Sequence, residues 1–177
     1  MFWCQIRRSL SWFLLLAGLV FFLLVGMGSV ALQPATALIS EWEEAPGQML
    51  YQSRQTLRDL DGNFWQAIVF KRVQGDGSPN LTLRLVGFPG VVAIDQNQPL
   101  LLSTSLGQTF EVANASQDIF EDRPLESNIA QYDLQAVLPN LNPAIPLALE
   151  MPISHGNALK FSVPPQVLQE WQTIADR

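Results

Sequence analysis

The chain is poorest in the residues that carry out chemistry. Its 177 residues include one cysteine, Cys4, and one histidine, His155. One cysteine cannot form an intrachain disulfide, so an ordinary apolar core must supply the stability. A structural zinc site takes three or four nitrogen or sulfur ligands, more than this chain offers. A Ser-His-Asp triad has to be built on His155, which sits in the turn-like Ser154-His155-Gly156-Asn157 with no nucleophile motif around it. The plain reading of His155 is an exposed turn residue, and a hydrolase has no visible pair of nucleophile and base. Positive charge is also scarce, with ten Lys and Arg against sixteen Asp and Glu and a net charge of −6. That balance excludes nonspecific nucleic-acid binding, which needs a basic surface. The acidic Asp118, Glu121, Asp122 and Glu126 lack the glycine and the terminal glutamate spacing of a calcium loop and read as a solvated loop. Gly75-Asp76-Gly77 precedes no helix, so it is a turn and not a phosphate cradle. Internal repeats and low-complexity tracts are lacking as well. The expectation is a protein with no cofactor, no metal and no enzymatic activity, and a monomer.

What the chain does contain is a long uncharged run near its start. Residues 12–32 carry no charge and follow Arg7 and Arg8, the layout of an export signal with its positive end held inside. Pro34 breaks the run, and Ala35-Thr36-Ala37 offers small residues for a signal peptidase, so cleavage is expected after Ala37. The competing reading is an uncleaved anchor, because about twenty apolar residues can cross a bilayer as a helix. Cys4 precedes the run, so a lipoprotein anchor is not indicated. Residues 1–37 are therefore read as a signal peptide or anchor, residues 38–48 as an exposed acidic lead-in and residues 49–177 as one domain. Removal of residues 1–37 takes away Arg7, Arg8 and Cys4. Eight basic residues then face sixteen acidic ones, a net of −8, and no thiol is left.

The organisation beyond residue 48 is mainly β. Strands expected at 50–59 and 64–73 flank Leu60-Asp61-Gly62-Asn63, where the Asp-Gly pair is a strong hairpin signal. Residues 75–79 form a second turn, and residues 81–86 alternate as a half-buried strand does. Further short strands are expected at 91–94, 100–104 and 109–113, the last two joined across Leu106-Gly107. Residues 114–131 read as an acidic surface loop. Asp133 then caps one helical turn that Pro139 stops, and strands follow at 147–151 and 159–163. After Pro164-Pro165, the spacing of Val167, Leu168, Trp171 and Ile174 places them on one face of a closing helix. The fold class is mainly β, an antiparallel meander, sandwich or curled sheet, with a C-terminal α-helix packed on it through Trp171.

One constellation points to binding. If the Asp61-Gly62 hairpin has an even loop, Arg58 faces Trp65, Arg54 faces Val69 and Gln52 faces Lys71, with Leu57, Ile68 and Phe70 on the opposite, core side. Leu81, Leu83 and Leu85 then send Arg84 to the same outer face. Arg54, Arg58, Trp65, Lys71 and Arg84 form a candidate face for a partner or an anion, with Trp65 available for a cation–π contact. A solvated sheet face covered by long side chains is the plainer alternative. A one-residue bulge in the turn would invert the parity.

The stretch of residues 49–72, MLYQSRQTLRDLDGNFWQAIVFKR, together with LRLVGFPG at 83–90 and VLQEW at 167–171, resembles a family of small exported proteins of unknown function from cyanobacteria. The resemblance covers nearly all of the chain after the export segment and implies a compartment, the thylakoid lumen or the periplasm. It carries no activity or site residues. The leading expectation is an exported, non-enzymatic accessory or binding protein, soluble after cleavage near Ala37 or tethered by its N-terminal segment. Its expected partner is a membrane protein complex or an anionic lipid surface, and a role in assembling or maintaining photosynthetic complexes rests on the resemblance alone. A second expectation is a small lipid or pigment carrier, with Phe64, Trp65, Phe70, Phe88 and Trp171 lining a pocket between sheet and helix.

Overall fold

A computed structural model of the chain describes residues 39–73, 79–119 and 126–177. The strands are β1 (Ser40–Ala45), β2 (Gln48–Arg58), β3 (Phe64–Val73), β4 (Pro79–Val86), β5 (Leu100–Thr104), β6 (Thr109–Val112), β7 (Ile129–Asp133), β8 (Leu147–Met151) and β9 (Leu159–Val163), and the helix is α1 (Pro165–Ala175). They form a five-stranded sheet in the order β1-β2-β3-β4-β7 and a four-stranded sheet in the order β6-β5-β8-β9, with every pairing antiparallel. Two single bridges link the sheets. Asp59 at the end of β2 meets Phe161 of β9, and Asn114 beyond β6 meets Tyr132 of β7. The expected class, mainly β with one C-terminal helix, is the observed one.

Alternation explains the core. Leu81, Leu83 and Leu85 of β4, Leu147, Leu149 and Met151 of β8, and Leu159, Phe161 and Val163 of β9 are all buried, with solvent-accessible residues between them on β8 and β9. A period of two on each strand gives both sheets one apolar side, and each Leu-sized side chain fully removed from water contributes about 1.5–3 kcal/mol. Helix α1 starts at Pro165 behind an extended Pro164, where a missing N–H costs nothing. It buries Leu168, Trp171 and Ile174 and packs on β2 and β3. Polar contacts fix its position: Gln55 Nε2 donates to Glu170 Oε2 at 2.8 Å, Gln172 Nε2 donates to Leu141 O at 2.7 Å, and Lys71 Nζ donates to Ala175 O at 2.6 Å. Gln55 and Lys71 share the side of the sheet that carries Trp65 and Ala67, so the helix lies on the inner face, opposite the side that carries Arg54 and Arg58.

Several expectations change in detail. Ser40–Ala45, expected as an acidic lead-in, is exposed throughout but forms an edge strand against β2. Ile129–Asp133, split between the expected loop and the expected helical turn, forms β7 beside β4. The strand expected at 91–94 reduces to one bridge between Ile94 and Ile153, because Pro89 and Gly90 hold the preceding residues in a turn. The turn expected at 75–79 falls largely outside the described residues. The helical turn after Asp133 is present, with Gln135 N donating to Asp133 Oδ1 at 2.8 Å, but Pro139 does not stop it: a 3-10 turn, Leu138–Asn140, runs through that proline, whose missing N–H is tolerated in a first turn.

Candidate functional site

The geometry of the outer face is decided in the turn between β2 and β3. Asp59 N donates to Asn63 O at 3.1 Å and Gly62 N donates to Asp59 O at 3.2 Å, so the loop has three residues, Leu60, Asp61 and Gly62. Gly62 alone among them takes a positive φ, 87°, whereas a two-residue Asp-Gly turn of the mirror-image type needs it at both central positions. The Asp59 carboxylate selects this closure. It accepts Asn63 N at 2.8 Å, Asn63 Nδ2 at 3.0 Å and the Trp65 indole Nε1 at 3.1 Å. Burial would raise the Asp59 pKa, but the hydrogen bonds from Asn63, Trp65 and Asp61 outweigh it and hold the carboxyl below its usual range. The indole bond also draws Trp65 inward, where its ring meets Phe161 edge-on with centroids 5.6 Å apart. Gly87 completes the seat, since a Cβ there would lie 2.6 Å from the Trp65 ring.

An odd loop shifts the register by one. Leu57 faces Trp65, Arg58 faces Phe64, Arg54 faces Ile68 and Tyr51 faces Lys71. Two members of the expected face are therefore corrected: Trp65 is 3 % exposed in the core, and Lys71 points inward to the end of α1. Arg54 and Arg58 stay together on the outer side because they lie four positions apart, an even number, on one strand. Arg84 joins them because it pairs with Ile68. Arg72 takes the place expected for Lys71, and Phe64 and Phe70 take that of Trp65.

The resulting face interleaves arginine with phenylalanine. The Arg58 guanidinium lies 4.2 Å from the Phe64 ring centroid, and Phe70 lies under both Arg84 at 5.1 Å and Arg72 at 5.7 Å. These stems cover Phe70, which is buried although it points away from the core. Arg84 Nη2 donates to Gln131 Oε1 at 3.0 Å, and burial, followed by the charge of Arg72, lowers its pKa from the ordinary value. Arg72 forms a two-point contact with Glu44, at 2.7 and 3.2 Å, and that hydrogen bonding is the main cause of the lowered Glu44 pKa. Arg54 and Arg58 are exposed and form no salt bridge among the described residues. The face thus holds two paired or braced arginines and two that are free to meet an anion. Of these residues, Arg72, Phe64 and Phe70 were missed from sequence. The available signal was the pattern of side-chain acceptor, two residues, then glycine, which recurs at Thr104-Ser105-Leu106-Gly107. There Gly107 N donates to Thr104 O, Thr104 N donates to Gln108 O, and the Thr104 hydroxyl accepts Gln108 N.

Other candidates do not converge. His155 is exposed beside Gly156, and no cluster of three or more His, Cys, Asp or Glu able to hold a metal occurs among the described residues. A polar depression of about 320 Å³ is lined by Asp95, Asn97, Asn114, Ser116 and Ser154. Its one carboxylate, Asp95, is occupied by its own turn, accepting Asn97 N at 3.0 Å and Gln98 Nε2 at 2.7 Å. The Asn97 backbone bond is the first cause of its lowered pKa. Of the five aromatics expected to line a carrier pocket between sheet and helix, Phe64, Trp65 and Phe88 border one cleft with Val86, Gly87 and Pro89, whereas Trp171 is buried on α1 and Phe70 points to the outer face.

Fold and face together define a two-sheet antiparallel β protein whose five-stranded sheet carries an interleaved arginine and phenylalanine face. Residues 37–174 match the family described as protein of unknown function (DUF3122), and the chain belongs to that family. No curated protein and no solved structure matches it.

Proposed function

We propose that the protein is an exported, non-enzymatic accessory protein that binds an anionic partner through the outer face of its five-stranded sheet. The observation that carries this reading is the face on which Arg58, Arg72 and Arg84 lie over Phe64 and Phe70 with Arg54 on the same side, opposite the helix. Four of the eight basic residues beyond residue 37 lie on this one face of an acidic chain. Guanidinium groups held near aromatic rings are partly pre-ordered, so less side-chain entropy is lost when they meet carboxylate or phosphate. The apolar run at residues 12–32 supports export to the thylakoid lumen or periplasm, with the domain released near Ala37 or tethered, and a partner at the membrane fits both. The proposed role is support of a membrane complex, and a photosynthetic one suits the family resemblance.

The test is a pull-down of the C-terminally tagged chain from solubilised membranes, compared with the Arg54→Ser/Arg58→Ser pair. Both positions are exposed, so stability should change by less than about 0.5 kcal/mol, while the captured partner is lost. Unchanged capture by the folded double variant would end the reading.

A further inference from the structure

Six large apolar side chains are exposed among the described residues, and four of them, Leu60 (82 %), Phe64 (47 %), Phe88 (67 %) and Val91 (60 %), come from two neighbouring segments. One is the β2–β3 turn with the first residue of β3. The other is the loop that leaves β4, and Phe64, Phe88 and Val91 border a common depression there. An apolar cleft of about 470 Å³ lies alongside, with Phe64, Phe88, Val86 and Pro89 in its walls. The backbone that presents these side chains is braced. Asp59 holds the turn through three hydrogen bonds. The loop root is clamped by Gly87 N donating to Asn128 O and Asn128 Nδ2 donating to Gly87 O, both at 2.9 Å. Apolar side chains carried on fixed loops keep their exposure instead of folding back onto the core.

We propose that this end of the molecule is a bilayer-docking tip, in which Leu60, Phe64, Phe88 and Val91 enter the acyl boundary while Arg58 and Arg54 meet anionic headgroups. The inference deepens the binding face described above and rests on it, naming an anionic lipid surface as the partner. Charge complementarity selects that partner. The turn carries one exposed carboxylate, Asp61, but Arg58 over Phe64 and Arg54 four residues further back along β2 have no salt-bridge partner among the described residues. Such a rim of free guanidinium around protruding apolar side chains matches phosphate groups above hydrocarbon. Chain direction agrees with this. β1 begins at Ser40 opposite Gln52 and runs back to Ala45 opposite Gln48, so the chain enters β1 from the end toward which β2 climbs to Leu60. Residues 33–39 separate Ser40 from the uncharged run, and seven residues span at most about 25 Å. Burial of apolar area supplies the affinity, and the arginines supply the preference for anionic lipid.

The test uses the full chain with Cys4→Ser, bearing an environment-sensitive bimane on Leu60→Cys, on Phe88→Cys or on Leu106→Cys. Leu106 is 72 % exposed in a turn of the other sheet and serves as the internal control. Each labelled protein is combined with phosphatidylcholine vesicles with and without phosphatidylglycerol. The expected result is a blue shift and quenching by acyl-chain nitroxide lipid at positions 60 and 88 with phosphatidylglycerol, neither at position 106, and loss of both in the Arg54→Ser/Arg58→Ser background. Labels at 60 and 88 that stay as wet as the one at 106 overturn the inference. If the pull-down remains arginine-dependent in that case, the face binds an acidic protein and the broader reading stands. If the tip inserts but the arginine pair has no effect in either assay, the broader reading fails and insertion is purely apolar.

Discussion

At the scale of the residue, Asp59 determines most about the surface. Asp59 is 5 % exposed, and its carboxylate accepts three hydrogen bonds from Asn63 and Trp65. It thereby fixes the loop length, the inward turn of Trp65 and the outward turn of Phe64. Asp59→Asn keeps the shape but replaces an acceptor-only group with one that also presents donors to donors, and it should cost about 1–3 kcal/mol in urea unfolding. The pH dependence has a definite sign. The folded pKa lies below the ordinary 3.8, so the contribution of Asp59 is fully present above that value and disappears as pH falls through the lower folded one. Wild-type stability should therefore drop on acidification through that window, with a shallower drop in Asp59→Asn. Equal slopes would show that Asp59 does not carry the effect. This residue also marks where the sequence was hardest to read. Asp61-Gly62 was visible as a hairpin, but its even loop was the wrong count, because the acceptor that decides the matter is two residues upstream of the Asp-Gly pair.

At the scale of the element, strands with one buried face were legible, and strands without a simple alternation were not. β4, β8 and β9 alternate between buried and more accessible positions or carry leucine at every second residue. β1 is exposed at all six positions and reads SEWEEA, so no hydrophobic period can reveal it, and only its pairing with β2 makes it a strand. β7 reads IAQYD, and its buried Gln131 hides the period. That glutamine braces Arg84, while its backbone N–H donates to the buried Ser116 hydroxyl at 3.0 Å. The helix is legible from Pro165 and the spacing of its apolar residues, but its C-terminal tether is not, because an even loop puts Lys71 on the outer face. The ammonium of Lys71 meets the carbonyl of Ala175 at the negative end of the helix dipole. Lys71→Met should cost about 1 kcal/mol and raise amide exchange over residues 172–176, while partner capture stays at the wild-type level. Loss of capture in that variant would return Lys71 to the binding face.

At the scale of the whole molecule, an acidic chain is asked to approach an anionic partner, and the distribution of charge decides whether it can. Beyond residue 37 the net charge is −8, which repels a negative surface at long range. Arg54 and Arg58, without salt-bridge partners among the described residues, supply attraction over a Debye length of about 10 Å at 0.1 M salt. Two opposing terms act over different ranges. Long-range repulsion slows encounter, while contact between guanidinium and anion slows dissociation. Moderate salt screens the first term before it dissolves a close contact strengthened by stacking on Phe64 and by burial of the tip. Binding to anionic vesicles or to the captured partner should therefore associate faster as salt rises from very low values, and then weaken as the contacts themselves are screened. In Arg54→Ser/Arg58→Ser the repulsive branch remains and the attractive one is removed. Its association should still accelerate with salt, but its residence time should be short and nearly independent of salt. Stopped-flow association and dissociation measured across a salt series separate the two branches. A wild type whose dissociation is as insensitive to salt as that of the double variant would show that the arginine ladder contributes packing alone.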